Sequence, residues 1–167
     1  MADAASIEDF VASRGTALLR FAFLVCGHRA TAEDLVQTVL GRAYPRWGRI
    51  ATLERPEAYL KTMLVREHLR WLRRLSSGET PVPTAALDAP VVPEVGRVDD
   101  RDAAWALLAR LPRRQRAVLV LRYYEDMSDG EIAAVLGCAE STVRSQASRG
   151  IAALRAAVPA LRKETLL

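Results

Sequence analysis

Apolar residues recur along this chain three or four positions apart, and no stretch of any length alternates as a strand would. This spacing predicts helices in the first 75 residues over about 7–26, 31–47 and 56–75, with a loop at 48–55. Gly27 is expected to end the first helix, Thr31 to cap the second with Asp34 three residues on, and Pro56 to open the third. The apolar stripe predicted for the second helix comprises Val36, Val39, Leu40, Ala43, Tyr44 and Trp47.

Residues 111–158 have the pattern of a helix-turn-helix. Pro112 suits a first helical position, and Ser128 with Glu131 forms an S-x-x-E capping box. Gly137 then supplies the positive φ that commonly ends a helix. The predicted helices cover about 112–125, 129–136 and 140 to beyond 154, the first of them with apolar residues Val118, Leu119, Leu121 and Tyr124.

The last of these helices has two dissimilar faces. Its predicted core stripe is Val143, Ala147, Gly150, Ile151 and Leu154. Its opposite face is Ser141, Arg144, Ser145, Ser148 and Arg149. Small polar residues with arginines suit the major groove of DNA. The alternative is an ordinary solvated helix, but serines are poor helix-interior residues and glutamates and lysines would serve solvation better.

Two further faces carry candidate binding residues. The third helix presents Arg66, Arg70 and Arg73 at i, i+4 and i+7, followed by Arg74, a row that fits a phosphate backbone or simply a solvated basic face. The second helix presents an acidic and small-residue face opposite its apolar side, which fits protein contact and solvation about equally. That face consists of Asp34, Gln37, Thr38 and Gly41.

Charge is distributed in three blocks. Residues 1–75 and 101–167 each carry net +4, and residues 76–100 carry net −4. The acidic block also holds four of the eight prolines, which predicts a flexible linker, and we divide the chain into domains 1–75 and 101–167 joined by 76–100. Of 24 basic residues 22 are arginine, which suits phosphate and guanine contacts, although a GC-rich genome gives the same bias.

Several function classes find no support in the sequence. His28 and His68 have no metal-ligand spacing to Cys26 or Cys138, and no nucleophile, phosphate-loop or paired-carboxylate motif occurs. We therefore expect no metal, no cofactor and no catalysis. The N-terminus lacks a signal pattern and no apolar run could span a membrane, so a cytoplasmic location without membrane insertion is expected.

Three runs together resemble the bacterial RNA polymerase sigma factors of the extracytoplasmic-function class. They are AEDLVQTVLGRAYPRW (32–47), RPEAYLKTMLVREHLRWLRR (55–74) and LPRRQRAVLVLRYYEDMSDGEIAAVLGCAESTVRSQASRGIAALR (111–155). The resemblance covers nearly the whole chain apart from the linker. It implies a first domain that binds the core polymerase and melts the −10 promoter element, and a second that reads the −35 element.

The resemblance also implies roles for particular residues. The polymerase-binding residues would be Asp34, Gln37 and Thr38. The −10 residues would be Arg49 and Arg55 of the loop that captures a flipped base, together with Arg66, Arg70, Arg73 and Arg74. The −35 residues would be Ser141, Thr142, Arg144, Ser145, Ser148 and Arg149. The implied partners are core RNA polymerase and promoter DNA, with an anti-sigma protein left open.

The chain departs from the family pattern at three positions. Family members often have Asn at position 66 and an acidic or small polar residue at 70, where this chain has arginines, so its −10 preference is expected to differ. Ala139 stands where a Ser or Thr usually caps the −35 helix, a loss of about 1 kcal/mol unless a neighbour substitutes.

Two competing functions remain. The first is a stand-alone dimeric helix-turn-helix regulator, which needs a ligand pocket or dimer helix in the first domain. The second is a protein-interaction adaptor, which would lack arginine-rich DNA faces.

Overall fold

The structure is a computed structural model that describes residues 6–76 and 106–164. Every regular element in these two ranges is helical, which confirms the all-α prediction. The chain divides into two units, Met1–Pro81 and Val82–Leu167, called here the N-terminal and C-terminal units. Of the predicted linker, Ser76 is the last residue of a helix, and 77–100 lie outside the described residues.

The N-terminal unit is a packed group of three long helices. α1, α2 and α4 pack on one another around a core that includes Leu18, Phe21, Val39 and Leu64. Its elements are α1 (Ile7–Cys26), α2 (Arg29–Ala43), a 3₁₀ turn (Tyr44–Arg46), α3 (Trp47–Ile50) and α4 (Pro56–Ser76).

The ends of α1 and α2 follow from local hydrogen bonds. Gly27 ends α1 with φ 79°, as predicted. The predicted Thr31 cap is wrong, because α2 begins at Arg29 and His28 is its N-cap. The His28 Nδ1 atom accepts from the Thr31 backbone N–H at 3.5 Å, so a ring nitrogen replaces the expected hydroxyl and Thr31 lies inside the helix.

The end of α2 differs from the predicted stripe at one aromatic residue. Tyr44 is 63 % exposed, whereas Trp47 is buried and its ring lies 5.1 Å from that of Phe10. Each helical residue turns the side chain by about 100°, so Tyr44 points well away from the buried side that Ala43 occupies. The predicted loop is also shorter, because α3 extends to Ile50 and leaves only 51–55 outside the helices.

Within 106–164, the C-terminal unit shows a helical segment whose described part is 106–109, followed by three helices, and the last helix packs on the other two. The helices are α5 (Arg113–Leu119, which continues as a π-helical segment over Val120–Tyr124), α6 (Asp129–Leu136) and α7 (Glu140–Glu164). The predicted single α-helix to residue 125 is thus wrong in its last turn. The wider π turn shifts the phase of the side chains, and Tyr124, predicted as an apolar face residue, is 53 % exposed.

Candidate nucleic-acid interface

The turn before α7 is built from local caps that the sequence predicts. Ser128 and Glu131 form a complete capping box at the start of α6, with the Ser128 N–H donating to Glu131 Oε2 at 2.7 Å. Gly137 ends α6 with φ 65°, a conformation that costs glycine little. The capping box fixes where α6 begins, and Gly137 fixes where it ends and therefore where α7 can begin.

The two predicted faces of α7 are present in the structure. Val143 and Ala147 are fully buried, and Gly150 is buried on the same side. Of the predicted −35 residues, only Thr142 is half-buried. The exposed ones, on the opposite side of the helix, are Ser141, Arg144, Ser145, Ser148 and Arg149. The helix thus holds one side in the core and leaves small polar and arginine side chains on the other.

Gly150 allows α7 to approach α5 closely. A Cβ atom built on Gly150 would lie 2.9 Å from Leu119 Cδ1 and 3.3 Å from Leu119 Cγ, closer than unstrained packing permits. Leu119 is itself buried. The helix is therefore seated on α5 one residue after Arg149, which fixes how its polar face is presented.

The first turn of α7 compensates for the alanine at its start. The Ala139 carbonyl accepts from the backbone N–H groups of Thr142 and Val143 at 3.0 and 3.2 Å. Glu140 supplies an acidic side chain near the helix N-terminus, where the helix dipole favours negative charge. Its carboxylate also forms an exposed ion pair with Arg144 one turn later, Nη1 to Oε2 at 3.5 Å.

A buried arginine holds the segment that precedes α5. Arg116 is 4 % exposed, although charged residues are rarely buried. Its Nε donates to the Leu108 carbonyl at 3.0 Å, and its Nη2 donates to the Ala109 and Leu111 carbonyls at 3.1 Å each. The side chain therefore binds carbonyls at the end of the helical segment 106–109 and just beyond it, a role that sequence analysis did not find.

The predicted polymerase-binding residues share the exposed side of α2. Asp34, Gln37 and Thr38 are exposed, and so is Gly41 in the same row. A Cβ on Gly41 would meet nothing within 4 Å. This face is thus open to solvent, opposite the buried side of the helix.

The predicted −10 residues fall into two places in the N-terminal unit. Arg49 precedes the loop 51–55 and Arg55 is its last residue, and both are exposed. The Thr52 hydroxyl donates to the Arg49 carbonyl at 2.8 Å. Arg66, Arg70, Arg73 and Arg74 are exposed on α4. The loop and the helix row are therefore separate groups along the chain, both accessible.

Two of the α4 arginines surround a carboxylate that sequence analysis missed. Glu67 is 7 % exposed, and its side chain contacts Arg42 of α2 as well as Arg70 and Arg74. Arg70 Nη1 lies 3.4 Å from Oε2, and Arg74 Nη2 lies 3.4 Å from Oε1. We call these four residues the Glu67 cluster. The one signal in the sequence was that Glu67 is the sole acid between residues 58 and 76.

The described residues show neither a metal site nor a membrane-spanning helix. Within 6–76 and 106–164, no group of three or more His, Cys, Asp or Glu side chains could hold a metal ion. No helix in the same ranges is long and apolar enough to cross a membrane. Neither Cys26 nor Cys138 forms a disulfide within the described residues: Cys26 is buried and its Sγ donates to the His28 carbonyl at 3.3 Å, and Cys138 is partly exposed.

Comparison with known proteins matches both units. The chain matches the family models "Sigma-70 region 2" over residues 10–78 and "Sigma-70, region 4" over residues 101–154. It is 39 % identical over 149 residues to an RNA polymerase sigma-E factor of Streptomyces avermitilis, covering 89 % of this chain and 82 % of the relative. The chain belongs to the extracytoplasmic-function class of bacterial RNA polymerase sigma factors.

Other relatives of this sigma factor extend the comparison. An ECF RNA polymerase sigma factor SigL of Mycobacterium tuberculosis is 33 % identical over 159 residues, covering 92 % of this chain and 89 % of the relative. The solved structure of the sigma factor RpoE in complex with the anti-sigma factor NepR, from Bartonella quintana, has the same fold. Its TM-score is 0.64 at 24 % identity, over 92 % of this chain and 96 % of that one.

The family matches coincide with the elements described above. The region 2 match spans most of α1 and all of α2, α3 and α4, and the region 4 match spans α5, α6 and the first half of α7. A sigma factor directs RNA polymerase to promoters and acts in transcription initiation.

Proposed function

We propose that this sigma factor reads the −35 promoter element with the exposed face of α7. The observation that carries the proposal is the contrast between buried Val143 and Ala147 and the exposed arginines and serines opposite them. Short side chains let a helix enter the major groove closely, and an arginine can donate two hydrogen bonds to one guanine. Within that face, Arg144 is proposed to contact a base edge.

The N-terminal unit is proposed to bind polymerase and the −10 element on different surfaces. The open α2 face of Asp34, Gln37 and Thr38 docks on the core enzyme. The loop arginines Arg49 and Arg55 and the α4 arginines bind the melted −10 DNA, with phosphate contacts on α4. The two DNA-binding units act as 1–75 and 101–167, joined by 76–100.

Catalysis in this proposal belongs to the partner. The sigma factor supplies promoter selection and strand opening, and core RNA polymerase supplies nucleotide chemistry without a cofactor held by this chain. Because the polymerase works on chromosomal DNA, the proposed location is the cytoplasm.

Run-off transcription on genomic fragments tests the proposal. Core RNA polymerase is incubated with the full chain, and transcript starts are mapped to recover the −35 and −10 sequences. Arg144→Ala is then compared with Arg114→Ala, which removes an exposed arginine from α5. The proposal expects Arg144→Ala to change which −35 sequences are used and Arg114→Ala to leave that preference intact. Equal promoter use by both variants would remove Arg144 from the reading face.

A further inference from the structure

The Glu67 cluster joins the end of α2 to the basic row of α4. One carboxylate, almost fully buried, lies within 4 Å of guanidinium groups from both helices. The three arginines are not buried with it: about half of each side chain stays exposed, 48 % for Arg42, 56 % for Arg70 and 50 % for Arg74. The carboxylate is thus covered by a shell of arginines that faces solvent.

The charge of this cluster is unbalanced. One carboxylate carries a single negative charge, and three guanidinium groups carry three positive ones, so the cluster has a net charge of +2. Like charges this close repel unless an anion lies between or over them. Glu67 fills the position between them, and about half of each arginine side chain remains exposed on the outer surface.

A guanidinium group has five N–H donors in a fixed fork, which matches the oxygens of a phosphate. For Arg42 and Arg70, the contact with the Glu67 carboxylate uses only part of that fork. A side chain oriented by a buried anion also loses less conformational freedom when it binds, because part of the ordering cost is met on folding. The geometry therefore suits a preorganised phosphate-binding surface.

We propose that Glu67 is a positioning residue that arranges Arg42, Arg70 and Arg74 as one phosphate-binding surface for −10 DNA. Arg42, on α2, thereby becomes a DNA-backbone contact outside the row on α4. This inference rests on the proposed function, because it assigns the phosphate contacts of the same −10 surface. The inference adds Arg42 as a DNA-binding residue and Glu67 as a residue that acts through the three arginines.

The substitution Glu67→Gln separates positioning from simple charge. It removes a negative charge from a DNA-binding surface, so electrostatic attraction alone would strengthen DNA binding. If Glu67 orients the arginines, binding weakens instead, because glutamine attracts guanidinium groups less and their mutual repulsion spreads them. The two explanations predict changes of opposite sign.

The experiment uses holoenzyme assembled from core RNA polymerase and the full chain. The probe is a promoter fragment recovered by run-off mapping, with mismatches that keep its −10 region open. The affinity of the holoenzyme is measured between about 50 and 200 mM salt, a range that exposes phosphate contacts. The variants are Glu67→Gln, Arg42→Gln and the control Arg29→Gln, which removes an exposed arginine from the other end of α2.

The proposal predicts that Glu67→Gln weakens probe binding about tenfold, which corresponds to ~1.4 kcal/mol. Arg42→Gln should lower the slope of log affinity against log salt by about 0.7, the value for one phosphate of a single strand. Arg29→Gln should leave that slope unchanged. Equal or tighter binding by Glu67→Gln overturns the positioning role, and a slope for Arg42→Gln equal to that of Arg29→Gln overturns the DNA contact.

Two checks keep the outcomes distinct. If Glu67→Gln fails to fold, as judged by its helical circular dichroism, the comparison of Arg42→Gln with Arg29→Gln still decides whether Arg42 contacts DNA. A loss of core-enzyme binding by Arg42→Gln, with the salt slope intact, would place Arg42 on polymerase and overturn the proposal. Failure of the unsubstituted holoenzyme to bind the probe would refute the proposed function as well. The two failures are distinguishable, because the results that overturn the inference alone appear only in the substituted proteins.

Discussion

Replacement of the buried Arg116 by methionine is expected to unfold much of the C-terminal unit near physiological temperature. Methionine has a similar length and fills much of the same space, but it cannot donate a hydrogen bond. The change therefore removes three donated hydrogen bonds, at 3.0, 3.1 and 3.1 Å, from the carbonyls of Leu108, Ala109 and Leu111.

The magnitude follows from two of these acceptors, the Ala109 and Leu111 carbonyls, because the Leu108 carbonyl still accepts from the Leu111 backbone N–H at 3.1 Å. A buried polar group left without its partner costs about 1–3 kcal/mol. Part of that cost is recovered, because carbonyls near the end of a helical turn can reach water after small movements and because the buried charge itself is removed. We expect a net loss of about 3 kcal/mol from these two carbonyls. The free energy of unfolding of a whole domain is about 5–15 kcal/mol, so the substitution removes a large part of the stability of the C-terminal unit.

Two measurements on the full chain are used: its thermal unfolding and the hydrogen exchange of its backbone amides in the native state. A loss of 3 kcal/mol should lower the melting temperature of the C-terminal unit by at least about 12 °C. Exchange should quicken in α5, α6 and α7 and stay unchanged in α1, α2 and α4. Arg114→Met, on the exposed side of α5, is the control and should shift melting by only a few degrees. Equal melting of the two variants would refute the claim that Arg116 holds this segment.

Three further changes test the remaining surfaces. Asp34→Arg should sharply weaken binding to core polymerase in a pull-down while leaving the melting temperature nearly unchanged; the same charge change at the adjacent exposed Glu33 is the control, and equal weakening by both would contradict a specific docking role. Arg144→Ala should cost about 1–3 kcal/mol and relax preference at one −35 position, whereas a uniform loss across −35 variants would make it a phosphate contact. Ser128→Ala should destabilise the C-terminal unit by about 1 kcal/mol in denaturant unfolding, because it breaks the capping box, and an unchanged midpoint would show that the cap contributes nothing.

Local signals predicted most of the helix boundaries. Gly27 and Gly137 each needed a positive φ, and Ser128 with Glu131 formed a motif of fixed spacing, so neighbouring residues alone determined these ends. His28 was missed as a cap because hydroxyl and carboxamide side chains usually take that position. The π-helical segment after Leu119 has no comparable sequence signal, and Tyr124 at its end is exposed and does not lie on the predicted apolar face.

The candidate site shows the same division between local and long-range information. The exposed face of α7 followed from helical periodicity, since the spacing of Val143 and Ala147 fixes which residues lie opposite. The Glu67 cluster did not, because Arg42 precedes Glu67 by 25 positions and meets it only when α2 packs on α4. The burial of Arg116 was equally hidden, since its partners are backbone carbonyls that any sequence supplies.

Binding of promoter DNA with and without core polymerase tests the central claim most directly. A mapped promoter fragment is titrated at physiological salt with the chain alone, with core enzyme alone and with both, and complexes are resolved by gel shift. Two small DNA-binding faces become one strong bivalent contact only when the polymerase holds them at promoter spacing. The account predicts weak, salt-sensitive binding by the isolated chain and tight, sequence-specific binding when both are present. Tight sequence-specific binding by the isolated chain, unchanged by core polymerase, would contradict it.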